Sequence, residues 1–327
     1  MRPSLGEALP YKSHWIAGMA IVAAIVLLPL SLLTASHWMA PWRRAALRVT
    51  AIDVGEGDSI LVRTPSGRTM LVDGGGDKAT DIPGETGPPE SPIGERMVVP
   101  YLRSQGIDEV DVVLITHPHG DHVGGLVAVV RDLKVDTVLD GTTLPYPSVT
   151  YRNLIGEIRA KHVSYHFARR GEKIDFGDGV HADILNPPAG RLPYGTDFGD
   201  KTMNNYSAVV RLSYGSTVFL LDGDAETEAE ANILRAYPES FLRANVLKAG
   251  HHGSRNASSD AWLAVVQPTA AIISCGRNNV FGHPHPEALA RLRAHHVAIY
   301  RTDLNGAVEA DSDGTNVTVK AYVGGPS

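Results

Sequence analysis

The sequence predicts an α/β fold of sheets covered by helices, and three observations carry that prediction. Short apolar–polar alternations mark strands in both halves of the chain, and helical periodicities fall between them. The 33 glycines and 21 prolines supply the many tight turns such a fold needs. Hydrophobic residues make up 43% and charged residues 20% of the 327, which excludes a disordered chain and suffices for a large buried core.

The elements follow in order. "LRVTAIDV" from Leu47 and "SILVRTP" from Ser59 alternate apolar with polar around "GEGD", so they read as two strands and a turn. "GRTMLVDGGG" from Gly67 reads as a third strand ending in a glycine loop. Residues 77–96, rich in Pro and Gly and aperiodic, read as a long surface loop over a site. "VVPYLRSQGI" is a short helix closed by Gly106, and "EVDVVLIT" is a buried strand. "DHVGGLVAVVRDL" continues as a helix, with Val123, Leu126, Val127 and Val130 at helical spacing. The second half repeats the theme. "SAVVRLSYG" and "STVFLLDGDA" form a hairpin, and "ANVLKAG", "AAIISCG" and "VAIYRTD" are strands. Between them "ETEAEANILRAY", "SSDAWLAVVQ" and "PEALARLRAH" are helices.

The amino-terminal stretch has a different character. Trp15 to Thr34 runs 20 residues without a charge, the length of a membrane span. Trp15, Trp38 and Trp42 stand where interfacial aromatics would lie, and Pro29 is compatible with a kinked span. The expectation is one N-terminal transmembrane helix; the alternatives are a signal peptide cleaved near Thr34 and Ser36, or a buried helix. Arg2 and Lys12 precede the segment, whereas Arg43, Arg44 and Arg48 follow it, a bias of one charge toward a cytoplasmic domain. Residues 1–48 hold five of the 30 Lys and Arg but one of the 36 Asp and Glu, leaving −10 for the rest. That charge excludes a generic DNA-coating module, so a nucleic-acid substrate would need local attraction, for example by bound dications. The single cysteine, Cys275, excludes an intramolecular disulfide and reads as a small buried residue.

Ligand chemistry concentrates in "ITHPHGDHVGG", residues 115–125. In an extended loop His117 and His119 point to the same side and can hold one metal. Asp121 and His122 turn the corner into the following helix and suit a second metal nearby. Gly120, Gly124 and Gly125 let the backbone fold tightly there. Imidazole and carboxylate without thiolate suit Zn²⁺, Mn²⁺ or Fe. Asp224 in "LLDGDA" follows an apolar strand and reads as a bridging carboxylate, against a plain turn. His251 and His252 in "KAGHHGS" also follow a strand, and the sequence leaves open which of them ligates. Asp73 in "LVDGGG" is expected to orient a ligand imidazole, and Asp58 is a similar candidate. His283 and His285 in "GRNNVFGHPHPE" are candidates for a proton donor or phosphate contact. Arg277, Lys248 and Arg255 flank these segments as candidate contacts for an anion.

"THPHGDH" resembles the metal motif of the metallo-β-lactamase fold superfamily. The flanking segments resemble one branch, the hydrolase-like domain of ComEC-type DNA-uptake competence proteins. They are "AIDVGEGDSILVRTPSGRTMLVDGGG", "IGERMVVPYLRSQGIDEVDVVLITHPHGDHVGGL", "NNYSAVVRLSYGSTVFLLDGDAETEAE", "LKAGHHGSRNASS", "GRNNVFGHPHPEALARL" and "YRTDLNGAV". The resemblance covers about Leu47 to Tyr322. It implies an αββα sandwich, with a segment 1–46 before it, the hydrolase domain at 47–323 and a tail at 324–327. It also implies one or two divalent ions, Zn or Mn. His117 and His119 would hold the first, Asp121 and His122 the second, with Asp224 bridging and water between them as nucleophile. Where many superfamily members place a further histidine before the bridging aspartate, this chain has "NNYSA", with Asn204, Asn205 and Ser207. The first metal is therefore expected to be the more weakly held.

The leading functional expectation is a metal-dependent phosphodiesterase or nuclease acting on DNA in competence-type uptake or processing. Asp121 and His283 are the candidate catalytic residues. Asp58, Asp73, Asn205, Ser207, Lys248, Ser254 and His285 are expected around the metals or on the substrate. The alternatives are hydrolysis of a small ester, lactone or β-lactam, and a non-catalytic, membrane-tethered metal-binding component. Expected partners are single-stranded DNA or another phosphodiester, the membrane through the N-terminal helix, and a separate channel protein. The family resemblance favours a membrane-anchored domain facing outward, with a secreted or periplasmic form as the alternative.

Overall fold

The computed structural model describes residues 46–76, 92–142, 148–190 and 199–326. Two sheets face each other. The first begins with antiparallel strands β1 (Leu47–Ala51), β2 (Ile60–Arg63) and β3 (Thr69–Val72). It continues in parallel through β4 (Glu109–Ile115), β5 (Lys134–Asp140) and β6 (Ser164–Phe167). The second begins with antiparallel β7 (Lys173–Gly177), β8 (Val180–Asn186), β9 (Val209–Tyr214) and β10 (Thr217–Leu221). It continues in parallel through β11 (Val246–Lys248), β12 (Ala270–Ile273) and β13 (Ala298–Arg301). The last strands, β14 (Val308–Ser312) and β15 (Val317–Ala321), return to the first sheet at β1, giving the order β15-β14-β1-β2-β3-β4-β5-β6.

Alternation along the strands makes the layers. Val49, Val62, Met70, Val72, Val112 and Leu114 face Val210, Leu212, Phe219, Leu221 and Ile272 in a core between the sheets. The alternate residues, such as Leu61, Leu71, Val113 and Ile115, meet the helices Val99–Ser104, Leu126–Asp132 and Val149–Ala160. On the far side Leu220, Leu247, Ala271 and Ile273 meet the helices Thr227–Ala236, Asp260–Val266 and Pro286–Ala294. Helix, sheet, sheet, helix is the αββα sandwich. Trp262 is fully buried in the last layer, where Asp222 accepts its indole N–H at 2.9 Å.

Two local expectations change. Part of the loop expected over 77–96 is helical: Gly94–Val98 forms a π-helical turn leading straight into Val99–Ser104, and 77–91 lie outside the described residues. The helix expected from Asp121 onward is two helices, Gly120–Val123 and Leu126–Asp132, separated at Gly124 and Gly125. The helical ladder is interrupted because Gly125 N donates to the Gly75 carbonyl at 2.9 Å instead of to the preceding turn. The backbone of Gly125 crosses Gly74 so closely that a Cβ at Gly125 would stand 2.0 Å from the Gly74 carbonyl oxygen.

The expected membrane segment, 15–34, lies outside the described residues. Among the described residues no helix is long and apolar enough to cross a membrane.

Candidate metal centre

The site gathers chain segments that leave the sheets: Asp73 after β3, residues 116–122 after β4, 222–226 after β10, 249–254 after β11 and 274–285 after β12. Register fixes their neighbourhood. Val72 pairs with Leu114 in one sheet, and Leu221 pairs with Lys248, itself beside Ile272, in the other.

Asp224 stands at the centre, fully buried, and its two oxygens face different histidines. Oδ1 lies 3.3 Å from His122 Nε2 and 3.3 Å from His252 Nε2. Oδ2 lies 3.7 Å from His117 Nε2 and 3.7 Å from His251 Nε2. Asp121 Oδ2 completes the first group at 3.7 Å from His252 Nε2. Among the described residues a buried group Asp58–Asp73–His122 lies behind His122, and two ligand sets meet at the centre, Asp121–His122–Asp224–His252 and His117–His119–Asp224, each group with ligand atoms within 4.8 Å of one another. Asp224 belongs to both.

Most of these imidazoles are oriented alike: Nδ1 is anchored and Nε2 is turned inward. His122 Nδ1 meets Asp73 Oδ2 at 2.7 Å. His252 Nδ1 donates to the Ser274 carbonyl at 2.9 Å, and His117 Nδ1 meets Thr116 Oγ1 at 3.0 Å. His251 Nδ1 meets Glu226 Oε1 at 3.0 Å. Asp73 also accepts from Thr116 N at 2.8 Å and Thr116 Oγ1 at 2.6 Å, which ties it to the strand carrying the motif. His251 and His252 both have positive φ, 46° and 52°, an uncommon backbone for non-glycine residues and one that concentrates at functional sites.

The electrostatics and the hydrogen bonding fit a cation. Burial alone would push Asp224 up, yet His252, His122 and His251 hold its carboxyl well below the usual range. Against its own burial, His122 is held well above its ordinary value by Asp224 and Asp73, and His252 is pushed up to about 10, chiefly by Asp224. Burial lowers His117 well below its ordinary value, with His122 and His119 adding to the effect. Asp121 Oδ1, His122 Nε2, Asp224 Oδ1 and His252 Nε2 are buried and make no hydrogen bond. Buried polar atoms are nearly always paired. Four such atoms converging from two carboxylates and two imidazoles are the donor set of a divalent cation.

The remaining sequence candidates fall into three groups. Asp58 and Lys248 form a buried ion pair beneath His252, and Lys248 Nζ also donates to the Gly223 carbonyl at 2.9 Å. Lys248 is 1% exposed, which removes it as a substrate contact. Ser207 and Ser254 brace the backbone: Ser207 Oγ accepts from Asp224 N at 3.2 Å, and Ser254 N donates to the His251 carbonyl at 2.8 Å. Asn205 is buried with its amide on backbone groups, Lys201 O and Ala229 N, so it scaffolds the helix Asp200–Asn205 rather than facing a substrate. Its neighbour Asn204 reaches His251 instead, 3.3 Å from Nδ1. His283 and His285 lie at the rim, their rings 5.0 Å apart, and His283 is 5.3 Å from the ring of His251. Arg277 donates to the Asp303 carbonyl and Arg255 lies 3.7 Å from Glu287, both exposed. Cys275 is buried, as expected.

Sequence reasoning missed Glu56, Thr116, Glu226 and Ser274, which hold the histidines from behind, and Asp200, whose Oδ1 stands 3.4 Å from His119 Nε2; Asn204 was noted only as part of "NNYSA". Only Thr116 adjoins the motif; the others carry no signal in their own segments.

Residues 52–277 match the Metallo-beta-lactamase superfamily. ComE operon protein 3 of Bacillus subtilis is 30% identical over 266 residues, 80% of this chain and 32% of that protein. Competence protein ComA of Neisseria gonorrhoeae is 31% identical over 263 residues, again 80% of this chain and 32% of the relative. The chain thus spans about a third of the length of these relatives. Among solved structures, a diphosphatase from the PhnP family aligns at a TM-score of 0.44 with 15% identity, covering 82% of this chain and 99% of that one.

Proposed function

The chain belongs to the metallo-β-lactamase superfamily, whose members are metal-dependent hydrolases, and from that premise we propose that it is a phosphodiesterase that cleaves DNA during competence-type uptake or processing. The observation that carries the reading is Asp224, which offers one oxygen to each of two ligand sets. Two dications sharing a carboxylate suit in-line displacement at phosphorus. Nitrogen and oxygen donors without thiolate favour Zn²⁺ or Mn²⁺. The choice of DNA draws on the competence-type resemblance and on relatives named for competence.

His122, His252, Asp121 and Asp224 would hold one ion, and His117, His119 and Asp224 the other. When bound, the ions supply Lewis acidity, lowering the pKa of water and neutralising charge on a phosphoryl oxygen. The chain's own residues provide preorganisation. Asp73 and the Ser274 carbonyl fix the tautomers of His122 and His252, and Lys248 offsets the buried charge of Asp58 beneath them. In an acidic domain, the cations are also what would draw a phosphodiester in.

The test uses the full chain, stripped of metal and reconstituted separately with Mn²⁺ and Zn²⁺, on single-stranded DNA and bis-p-nitrophenyl phosphate. Cleavage is expected with metal and is expected to fall by at least about 100-fold in Asp121→Ala and in Asp224→Ala. Stoichiometric metal with no cleavage of either substrate would overturn the reading.

A further inference from the structure

We propose that Glu56 is a positioning residue, which holds His283 with Nδ1–H on its own carboxylate and Nε2 toward the substrate, so that His283 protonates the leaving oxygen. The inference rests on the phosphodiesterase reading above and assigns a part to Glu56 in "GEGD", a turn in which the sequence singles out only Asp58.

The contact is long-range and specific. Glu56 lies between β1 and β2, yet its Oε1 meets His283 Nδ1 at 2.8 Å, 227 residues away. Its Oε2 accepts from Gly276 N at 2.7 Å, so both oxygens are committed to the segment that carries His283. Glu56 is 14% and His283 7% exposed at the side chain, so the pair is largely shielded from water. Asn279 clamps the histidine's backbone from both sides, accepting from His283 N at 2.9 Å and donating to His283 O at 2.6 Å. The loop that presents Glu56 is itself pressed onto the metal motif: a Cβ at Gly57, whose φ is +109°, would stand 2.1 Å from the Asp121 carbonyl oxygen. The same loop therefore touches both the ligand set and the rim histidine.

The ring's surroundings point it at the reaction centre. His283 lies 5.9 Å from the ring of His252, a member of the first ligand set, and 5.3 Å from that of His251, whose Nε2 faces Asp224, but belongs to neither set itself. A structural ion pair would need neither that location nor an imidazole. With Nδ1–H held on the Glu56 carboxylate, the ring's orientation is fixed and Nε2 is the nitrogen left to pass a proton to the substrate. The step balances. Water oxygen forms a bond to phosphorus, the P–O bond to the sugar breaks, and the departing oxygen takes the proton from His283 Nε2. The proton released by the attacking water reaches solvent, and the ring is reprotonated from there.

A leaving-group comparison tests it in the metal-loaded full chain. Glu56→Ala, Glu56→Gln and His283→Ala are assayed on a thymidine dinucleotide, which loses an alkoxide, and on bis-p-nitrophenyl phosphate, whose phenolate leaves without a proton. For Glu56→Ala and His283→Ala, kcat on the dinucleotide is expected to fall about 100-fold, and at least tenfold further than on the aryl diester, the scale of lost general acid catalysis. KM and bound metal should stay near the wild-type values, and Glu56→Gln, which keeps an acceptor for Nδ1, should fall between. The Glu56→Ala/His283→Ala double variant should be no slower than His283→Ala, since the two act as a unit. Equal losses on both substrates, or additive losses in the double variant, would overturn the role of Glu56 while leaving the hydrolase reading intact. A wild type that binds metal and cleaves neither substrate would overturn the reading and the dyad with it.

Discussion

Asp73 shows how a single side chain can set a metal site by holding a ligand from behind, its Oδ2 2.7 Å from His122 Nδ1. It is fully buried, and burial raises its pKa, while His122 and Thr116 favour its ionised form. Its φ of 58° turns the carboxylate back toward Thr116 and His122. Asn is the replacement that best tolerates that backbone and keeps the volume, but it removes the charge behind His122. Asp73→Asn is therefore expected to weaken metal binding by about 10- to 100-fold with little change in the folded structure. Calorimetric titration of the metal-free protein with Mn²⁺ checks it, and an unchanged affinity would mean that the charge on Asp73 does not matter. The residue was legible in the sequence because it ends an apolar strand in "LVDGGG". Glu226 and Ser274 were not, since each reaches its histidine across 25 and 22 residues of chain. A motif reveals ligands that sit together; it says nothing of the groups that fix their tautomers from other strands.

At the scale of elements, the motif loop is held by close backbone approach as much as by hydrogen bonds. Gly125 begins the step into the helix Leu126–Asp132 and meets Gly74 at a distance no side chain would allow. Gly125→Ala must displace backbone rather than a flexible side chain and is expected to cost roughly 1–3 kcal/mol, the scale of an overpacked core. Gly156 is the control. It is exposed in the helix Val149–Ala160, nothing lies within 4 Å of an added Cβ, and alanine there should stabilise by up to about 1 kcal/mol. Urea unfolding of both variants decides the matter, and a Gly125→Ala chain as stable as wild type would show that the crossing can relax. Elements were legible in proportion to their burial pattern. β4 and β10 are inner strands with long apolar runs and were read directly. β6 and β7 close the ends of the two sheet orders and are short and mostly exposed; "SYHF" and "KIDFG" do alternate, but over only four and five residues with few buried positions to mark them as strands. The closing strand β14 pairs with β1 across almost the whole chain, with β15 added at its outer side, and local periodicity cannot encode that long-range partnership.

Across the whole molecule, the two sheets are joined by an apolar core between them and by a polar centre at the ends of their parallel strands. β3 and β4 of the first sheet deliver Asp73, His117, His119, Asp121 and His122; β10 and β11 of the second deliver Asp224, His251 and His252. A cation bound at Asp224 thus links both sheets, and unfolding must release it. Binding to the folded state alone stabilises in proportion to ligand excess, about 2.7 kcal/mol at one hundred times the dissociation constant. The thermal midpoint of the full chain is expected to rise steadily with added Mn²⁺ and to fall again on chelation. The second sheet's share of that effect must pass through Asp224 and His252, the first sheet's through His117, His119, Asp121 and His122. Asp224→Ala should therefore abolish most of the shift, although its carboxylate is one of several, because it alone belongs to both ligand sets. Asp121→Ala, which leaves His117, His119 and Asp224 in place, should retain part of it. Scanning calorimetry of the three proteins across a metal titration distinguishes the two variants. Identical residual shifts in both would mean that the sets bind independently and that the shared carboxylate does not couple the sheets.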